Sequence, residues 1–446
     1  MRLLNNTHQI YSLLGEETSN SSNANIKNVT IDSRLVKKDS LFFGIEGTNT
    51  HGGKFAKQAI GSGASLVISD IANNSLKNNY MHVQDVPKAM QAIAKSLMQN
   101  YEGAVIGLTG SNGKTTVKNL LSKVVSRSYA SPSNLNNEIG LPLSVMGLSG
   151  SDDTAIFEMG AARPGDIELL ADIIRPDIGI ITSIGKSHLK GMKSIEGVLK
   201  TKSELIYFIK PGGHTIIPLG DYTEYWKSLR SDINFITFGT NSDADIFIKN
   251  FEMNPFGLSF EACSNLSNSS YSLSTSLLGQ HNALNILIAF ACNEILENDI
   301  DDFKKNIESF KNFSNRLSPL PWINNSVIIN DSYNANPDST KEGCITLSKF
   351  TTGRKIILLG DMLDLGDKSD DLHREIGKFA RKLKIDCLLG FGKKAELSVA
   401  HFGKNGKFFK DEIKLRQYLK NNVQKGDTIY LKGSRGMKME RFLEND

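Results

Sequence analysis

The segment GLTGSNGKTTVKNLL, from Gly107 to Leu121, constrains the fold of this chain more than any other. A buried-strand pattern, AVIGLTG, leads into it, and a glycine-rich turn follows. After the turn, apolar residues recur at the spacing of one buried helix face: Val117, Leu120, Leu121, Val124 and Val125. A strand, a glycine turn and a helix in this order predict an α/β unit whose helix begins at the carboxyl edge of a parallel sheet.

The composition of the turn predicts phosphate binding. The first amides of a helix lack partners within the helix and lie at the positive end of its dipole, and glycines let the backbone curl so that these amides face inward. Lys114 adds a cation for the outer phosphates, and Thr115 adds a hydroxyl suited to Mg²⁺. Leu108 replaces the first glycine of the general G-x-x-x-x-G-K-[ST] pattern, so a tighter turn begins at Gly110.

The alternative for this turn is an ordinary glycine bend ahead of a helix, but the combination of strand, loop and helix favours a nucleoside triphosphate site. The predicted ATP-binding residues of the loop are Gly110, Ser111, Asn112, Gly113, Lys114, Thr115 and Thr116.

The rest of the chain predicts an α/β protein of three domains. A chain of 446 residues exceeds what one core organises, at about 150 residues per domain. Short β-like runs over 1–84 predict a small N-terminal α/β domain. Alternating strands and helices over 85–314 predict a central ATP-binding domain with a parallel sheet, in which 251–278 alternates like antiparallel strands. Four strand-like runs over 315–446 predict a Rossmann-like C-terminal domain.

Charge and cysteine usage narrow the function classes. Lysine plus arginine total 52 against 48 acidic residues, a net charge of +4 without a basic tract, so a nucleic-acid partner is not expected. The four widely spaced cysteines predict buried thiols rather than zinc ligands or disulfides. No segment approaches the roughly 18 apolar residues of a membrane span. We therefore expect a cytoplasmic protein, and a monomer.

Further motifs resemble the Mur ligase family of peptidoglycan synthesis. The loop TGSNGKTT is similar to those of Mur ligases and of the related folylpolyglutamate synthases. Other stretches resemble the members that add D-alanyl-D-alanine: NLNNEIGLPLS from Asn134, FEMGAARPGDIELL from Phe157, GQHNALNILIAF from Gly279 and DSYNANPDS from Asp331. The resemblance extends to LFFGIEG at Leu41 and KGSRGM at Lys432, so it spans all three predicted domains.

The resemblance implies an ATP-dependent amide ligase that joins UDP-N-acetylmuramoyl-tripeptide to D-alanyl-D-alanine through an acyl phosphate. It also implies two Mg²⁺ ions, a site for the UDP-linked substrate on the domain over 1–84 and binding of the incoming dipeptide by the domain over 315–446. One alternative is the Mur ligase that adds the third peptide residue, whose acceptor domain typically carries a D-N-P-R motif that this sequence lacks. Another is a nucleotide-binding regulatory protein that keeps the phosphate loop without turnover.

The catalytic residues implied by the resemblance are Lys114, Glu158, His188, Lys202 and Arg316. Glu158 follows the strand TAIF, which places it at the carboxyl edge of the sheet, where open α/β folds bind ligands. The resemblance assigns it to Mg²⁺ beside Thr115, and assigns His188, which also follows a strand, to the second ion.

Lys202 matches the lysine that several Mur ligases carry as a carbamate formed with CO₂, an anion that ligates metal. Carbamate formation requires a neutral amine, and an unperturbed lysine has a pKa of about 10.4. From the sequence alone, Lys202 also fits a surface lysine that pairs with Glu204.

By resemblance, Asn282 reads the adenine edge, Arg316 faces the phosphates from across a cleft and Asp331 contacts the ribose. A helix-start residue and a strand-ending cap are the alternatives for Asn282 and Asp331. The implied substrate residues are Ser33, Arg34 and Gly47 for the uridine diphosphate, Asn136 and Asn137 for the muramoyl-peptide, and Asn334, Asn336 and Arg435 for D-alanyl-D-alanine. Arg435 would pair with the terminal carboxylate, unless it is a solvated charge.

Overall fold

A computed structural model describes residues 3–15, 23–73, 75–76, 79–132, 134–254, 257–311, 315–350 and 353–443, without the side chains of residues 189, 190 and 254. In this part of the chain, strands form three sheets in succession, which confirms the predicted α/β class. The predicted domain boundary between residues 84 and 85 falls between the first two sheets, and residue 314, at the second boundary, lies outside the described ranges. No described helix is both long and apolar enough to cross a bilayer.

The first unit is a parallel sheet in the order β1-β2-β3-β4, followed by a helix that joins it to the next unit. Its elements are α1 (Thr7–Leu14), β1 (Asn28–Thr30), β2 (Ser40–Gly44), α2 (Ala56–Gly61), β3 (Ala64–Ser69), β4 (Tyr80–His82) and α3 (Val86–Gln99). Helix α3 begins where the Asp85 carboxylate accepts a hydrogen bond from the Lys88 amide. Its apolar face packs into one continuous core with Leu41 of the first sheet and Val105 of the second.

The central unit carries the phosphate loop. Its elements are β5 (Ala104–Thr109), α4 (Lys114–Val124), β6 (Ser128–Ala130), α5 (Gly140–Val145), β7 (Thr154–Glu158), α6 (Asp166–Ile174), β8 (Ile178–Ile181), α7 (Leu189–Met192), α8 (Ile195–Tyr207), β9 (His214–Pro218), α9 (Thr223–Leu229), β10 (Asn234–Gly239), β11 (Ile246–Asn254), β12 (Gly257–Ser264), β13 (Ser269–Thr275), α10 (Gln280–Ile295) and α11 (Ile300–Ser309).

These strands form a sheet in the order β13-β12-β11-β10-β9-β8-β5-β7-β6. Strands from β6 to β11 run parallel, while β12 and β13 are antiparallel, as the alternating pattern predicts. Helices cover both faces of the parallel part: Leu120 of α4 and Ile286 of α10 pack on one face, and Ile167 of α6 and Leu205 of α8 on the other. The sequences of β5, β7 and β8 are apolar almost throughout because both of their faces are buried.

The third unit has the sheet order β14-β15-β19-β16-β17-β18, parallel except for the β14 edge. Its elements are β14 (Ser318–Trp322), β15 (Ser326–Asp331), α12 (Pro337–Ser348), β16 (Lys355–Gly360), α13 (Ser369–Lys382), β17 (Cys387–Phe391), α14 (Ala395–Phe402), β18 (Gly406–Phe409), α15 (Glu412–Asn422) and β19 (Thr428–Lys432). The carboxyl ends of β15 and β19 lie side by side and bring Asp331 next to Lys432.

The cysteines are free thiols, as predicted. Cys263, Cys292 and Cys344 are buried, whereas Cys387 is half-buried, so the expectation of burial is wrong in part for that residue.

A buried histidine holds the loop after β16. The His373 side chain, on α13, accepts a hydrogen bond at Nε2 from the Met362 amide (3.0 Å), and its Nδ1 lies 2.7 Å from the Ser369 carbonyl oxygen. A carbonyl oxygen only accepts, so Nδ1 carries a proton, and Nε2 carries none because it accepts from the Met362 amide. The ring is therefore neutral. Burial lowers the pKa of His373, while the Ser369 carbonyl and Asp361 oppose that shift.

This histidine should make the stability of the chain depend on pH. Above the unfolded-state pKa of about 6.5, both states are neutral, and below it the unfolded state binds the proton first, so stability falls as pH decreases. We expect His373→Gln to be less stable than wild type at pH 7.5 and to lose less stability between pH 7 and 5. Thermal unfolding across pH measures both effects. The control His401→Gln, on α14, should keep the wild-type slope; an equal slope for His373→Gln would contradict the assignment.

Candidate active site

A cavity of about 1020 Å³ lies between the central and third units. It is bounded by the loop after β5, the carboxyl ends of β7 and β15, and the starts of α10 and α12. Most predicted site residues line it: Ser111, Asn112, Gly113, Lys114, Thr115, Thr116, Asn136, Asn137, Glu158, His188, Asn282, Arg316, Asp331, Asn334 and Asn336. The structure therefore brings together residues that are separated by more than half of the chain.

Other predicted residues are not part of the cavity wall. Ser33, Arg34, Gly47 and Arg435 do not line it, and neither do Gly110 and Lys202, which are buried. Arg34 pairs with Asp32 (2.6 Å) on an exposed surface. Arg435 is also exposed and pairs with Glu440 (2.6 Å), which agrees with the alternative of a solvated charge.

The phosphate loop is held in shape by the segment after β8. The Asn112 amide donates to Ser183 Oγ (3.0 Å), and Ser111 Oγ accepts from the Gly185 amide (2.9 Å). Gly113 has a left-handed φ of 86°, and a Cβ there would lie 2.6 Å from Asn285 Oδ1. Because backbone conformation and space both require glycine, the loop amides are oriented by the fold itself.

Lys114 folds back over this loop. Its Nζ donates to the Gly110 carbonyl at 2.6 Å. Desolvation by the cavity walls lowers the pKa of Lys114, Glu158 raises it and Arg316 lowers it, so these three charged groups lie within electrostatic range of one another. Arg316 comes from the third unit, where its guanidinium stacks 4.1 Å from the centre of the Tyr333 ring.

Glu158 is a buried carboxylate at the end of β7. Its Oε1 accepts from Asn136 Nδ2 (3.0 Å), whereas its buried Oε2 has no hydrogen-bond partner among the described residues. Lys118 Nζ lies 3.5 Å from that oxygen, at the long end of the hydrogen-bond range. Glu158 is therefore neither a helix cap nor half of a surface ion pair, because the residue is 3% exposed and lines the cavity.

The available donors fit a magnesium ion that is shared with a nucleotide. Among the described residues, no three His, Cys, Asp or Glu side chains converge as a closed metal site would require. Mg²⁺ usually keeps several waters and binds one or two carboxylates together with substrate phosphates. Glu158, whose Oε2 has no hydrogen-bond partner among the described residues, and Thr115 line one cavity and match that description.

His188 and Lys202 belong to the same electrostatic cluster. Desolvation lowers the pKa of His188, Lys114 and Lys202 lower it further, and Asp364 and Asp166 raise it. Lys202 is only 1% exposed, and burial together with Lys114 lowers its pKa well below the ordinary value.

The interpretation of Lys202 as a surface lysine paired with Glu204 is wrong. The Glu204 carboxylate instead accepts hydrogen bonds from the Gly165 and Glu168 amides, both at 2.9 Å. Lys202 is a buried amine with a depressed pKa, which is the state from which an amine captures CO₂.

Asp331, from the third unit, and Asn282, from the central unit, both line the cavity. Asp331 Oδ2 accepts from Lys432 Nζ (2.5 Å) and from the Tyr430 hydroxyl (2.9 Å). Asn282, in the first turn of α10, donates from Nδ2 to the Leu278 carbonyl (2.8 Å). Both therefore have structural partners as well as a place in the cavity wall.

The third unit contacts the phosphate loop directly. Asn336 Nδ2 donates to Asn112 Oδ1 (2.9 Å), while its Oδ1 caps α12 at the Ser339 amide. Asp338 Oδ2 accepts from the Lys186 amide at 2.7 Å. Asn336, predicted as a dipeptide residue, thus also joins the two units across the cavity.

Sequence reasoning missed Lys118, Asn285 and Lys432. Lys118 shares one helix face with Lys114, Val117 and Leu121, and a lysine on an otherwise apolar face is a signal that a closer reading would have found. Lys432 ends a strand of a parallel sheet, which is also a readable signal. Asn285 had no such signal in the sequence, because only the packing of α10 on the phosphate loop places its side chain against Gly113.

Comparison with known proteins gives consistent matches along the chain. Family models match for the Mur ligase middle domain (108–293), the Mur ligase glutamate ligase domain (315–435) and the Mur ligase family catalytic domain (25–97). The chain is 33% identical over 431 residues to the UDP-N-acetylmuramoyl-tripeptide–D-alanyl-D-alanine ligase of Bacillus subtilis, covering 94% of this chain and 93% of that protein.

Two solved structures share the whole architecture. A crystal structure of MurF from Acinetobacter baumannii superposes with a TM-score of 0.89 at 25% identity, covering 98% of this chain and 97% of that one. The MurF ligase from Thermotoga maritima in complex with ADP gives 0.85 at 26% identity, covering 94% and 96%.

The loop geometry predicts a selective effect of Gly113→Ala on nucleotide binding. The new methyl group would meet Asn285 and a left-handed backbone would be strained, so we expect ATP affinity to fall about tenfold or more. Isothermal titration calorimetry measures this loss. Gly165→Ala is the matched control, because Gly165 has the same φ of 86° but nothing within 4 Å of an added Cβ. Equal affinities for the two variants would refute the role of the loop.

Proposed function

The chain belongs to the Mur ligase family, and we propose that it is the ligase that joins D-alanyl-D-alanine to UDP-N-acetylmuramoyl-tripeptide at the expense of ATP. The observation that carries this proposal is the 33% identity to a ligase of that name across 94% of the chain. The cavity supports it, because the phosphate loop and Glu158 face Arg316 and Asp331 of the third unit across a single space.

The chemistry follows from the poor leaving ability of a carboxylate oxygen. Transfer of the ATP γ-phosphoryl group to the tripeptide carboxylate makes an acyl phosphate. The amine of D-alanyl-D-alanine then attacks the acyl carbon, so that the C–N bond forms, the bond to phosphate breaks, and ADP and phosphate are released. Both steps gather negative charge, which Lys114, the loop amides and Arg316 are placed to offset.

We infer that Thr115, Glu158 and His188 hold magnesium, and that two ions take part. The ions would supply further charge neutralisation for the phosphoryl group. A carbamate on Lys202 would add an anionic ligand beside His188. The buried, depressed-pKa amine supports this part of the proposal.

The remaining assignments extend the same proposal to the substrates. Asn282 and Asp331 would contact the adenosine, Asn136 and Asn137 the muramoyl-peptide, and Asn334 and Asn336 the dipeptide. Ser33, Arg34 and Gly47 would hold the uridine diphosphate on the domain spanning 1–84, and Arg435 would pair with the dipeptide carboxylate after a movement toward the cavity. We further infer a monomer in the cytoplasm, where ATP is supplied; gel filtration and cell fractionation test these two inferences.

A phosphate-release assay on the purified chain tests the function. Release should require ATP, UDP-N-acetylmuramoyl-tripeptide and D-alanyl-D-alanine together, because the amine must consume the acyl phosphate. The product, a UDP-N-acetylmuramoyl-pentapeptide, is identified by mass spectrometry. Phosphate release that does not depend on the dipeptide would support a different ligase. Binding of ATP without any ligation would support a non-catalytic nucleotide-binding protein.

Carbon-13 NMR with labelled bicarbonate tests the carbamate. A carbamate resonance is expected in the wild-type chain at neutral pH and should be absent from Lys202→Arg, whose guanidinium stays protonated. Lys200→Arg, two residues earlier on α8 and exposed, is the matched control and should retain the resonance. A wild-type spectrum without the resonance would rule out the modification.

A further inference from the structure

The helix of the phosphate loop carries a second lysine directly behind the proposed metal ligand. Lys118 is one turn beyond Lys114, and its side chain is 3% exposed. Its Nζ donates to the Ser131 carbonyl at 2.8 Å and lies 3.5 Å from Glu158 Oε2. The Ser131 segment is itself fixed, since Ser131 Oγ accepts from the Glu158 amide (3.2 Å). The ammonium is therefore held in place rather than free to swing away.

The two oxygens of Glu158 have different surroundings. Oε1 accepts from Asn136, whereas Oε2 accepts no hydrogen bond from the described residues. Oε2 is therefore the oxygen with a free lone pair for an ion, and it is also the oxygen whose charge Lys118 offsets. Any cation that binds this carboxylate must share it with a positive charge that is already present.

We propose that Lys118 is a built-in competing charge that keeps the affinity of Glu158 for divalent metal low until a nucleotide arrives. Repulsion between charges is strong where water is largely excluded, and Arg316 lies within electrostatic range of both Lys114 and Lys118, which themselves interact with Glu158. The triphosphate of ATP reverses the local balance, because it brings several negative charges into the cavity. Metal then enters with the nucleotide rather than before it. This inference rests on the proposed function only in assigning metal to Glu158.

Metal binding without nucleotide tests the inference. We would titrate the full-length, nucleotide-free chain with MnCl₂ and follow the electron paramagnetic resonance signal of free Mn²⁺. Lys118→Met removes the charge while keeping an apolar chain of similar length, so its Kd for Mn²⁺ should be about tenfold lower than that of wild type, or lower still. Adding a non-hydrolysable ATP analogue should reduce the difference in Kd between the variant and the wild type, because the negative phosphates then dominate the electrostatic potential at Glu158.

Two controls separate charge from packing. Lys118→Arg keeps the charge and should bind Mn²⁺ as the wild type does. Lys123→Met, on the exposed last turn of the same helix, should also match the wild type. If Lys118→Met does not fold, Lys118→Gln gives the same comparison, because its amide can still donate to the Ser131 carbonyl.

Several results would overturn the inference. Lys118→Met or Lys118→Gln that binds Mn²⁺ no tighter than wild type would do so. So would a gain that survives addition of Glu158→Gln to the same chain, because the ion would then bind elsewhere. A wild-type chain that fails to ligate the two substrates would count against the proposed function alone, since the Mn²⁺ titration involves no substrate.

Discussion

The structure depends on one constraint: the phosphate loop must already have its amides oriented toward the cavity before a phosphate group binds. The loop after β5 meets it through glycine at 113 and through two hydrogen bonds to the loop after β8: the Asn112 amide donates to Ser183 Oγ, and the Gly185 amide donates to Ser111 Oγ. Since the parallel strands β5 and β8 are adjacent, their carboxyl ends supply both the loop and its support. The buried apolar cores on both sides of the sheet keep these ends in register.

A second theme is the collection of positive charge from separate parts of the chain. Lys114 and Lys118 come from one helix, Lys202 from another and Arg316 from the third unit. Such a group is electrostatically unfavourable by itself. Burial is the main cause that lowers the pKa values of Lys114, Lys118 and Lys202, and a neighbouring cation lowers each of them further. Glu158 offsets part of it, and a phosphorylated substrate would offset the rest.

The sequence predicted the architecture well because each layer leaves a local signature. Continuous apolar runs predict the parallel strands, and the alternating pattern before Leu278 predicts the antiparallel strands. Residues at the carboxyl ends of strands, such as Glu158 and Asp331, were also predictable, because topology alone sends these ends to one edge. Lys202 was ambiguous, since its neighbours in sequence do not reveal whether a helix face is buried; the structure shows that Glu204 bonds elsewhere.

By itself, the sequence determined the phosphate loop, the α/β class and the family. The placement of glycines, the hydrophobic period and the order of the motifs can all be read along the chain without knowledge of which residues meet in space. Tertiary structure alone decided which distant side chains share the cavity, and it separated Arg34 and Arg435 from the cavity wall in this arrangement of the domains. It also placed Lys118 against Glu158, 40 positions apart in sequence. The physical reason is that burial and charge pairing depend on through-space distance, which a chain acquires only when its helices pack on its sheets.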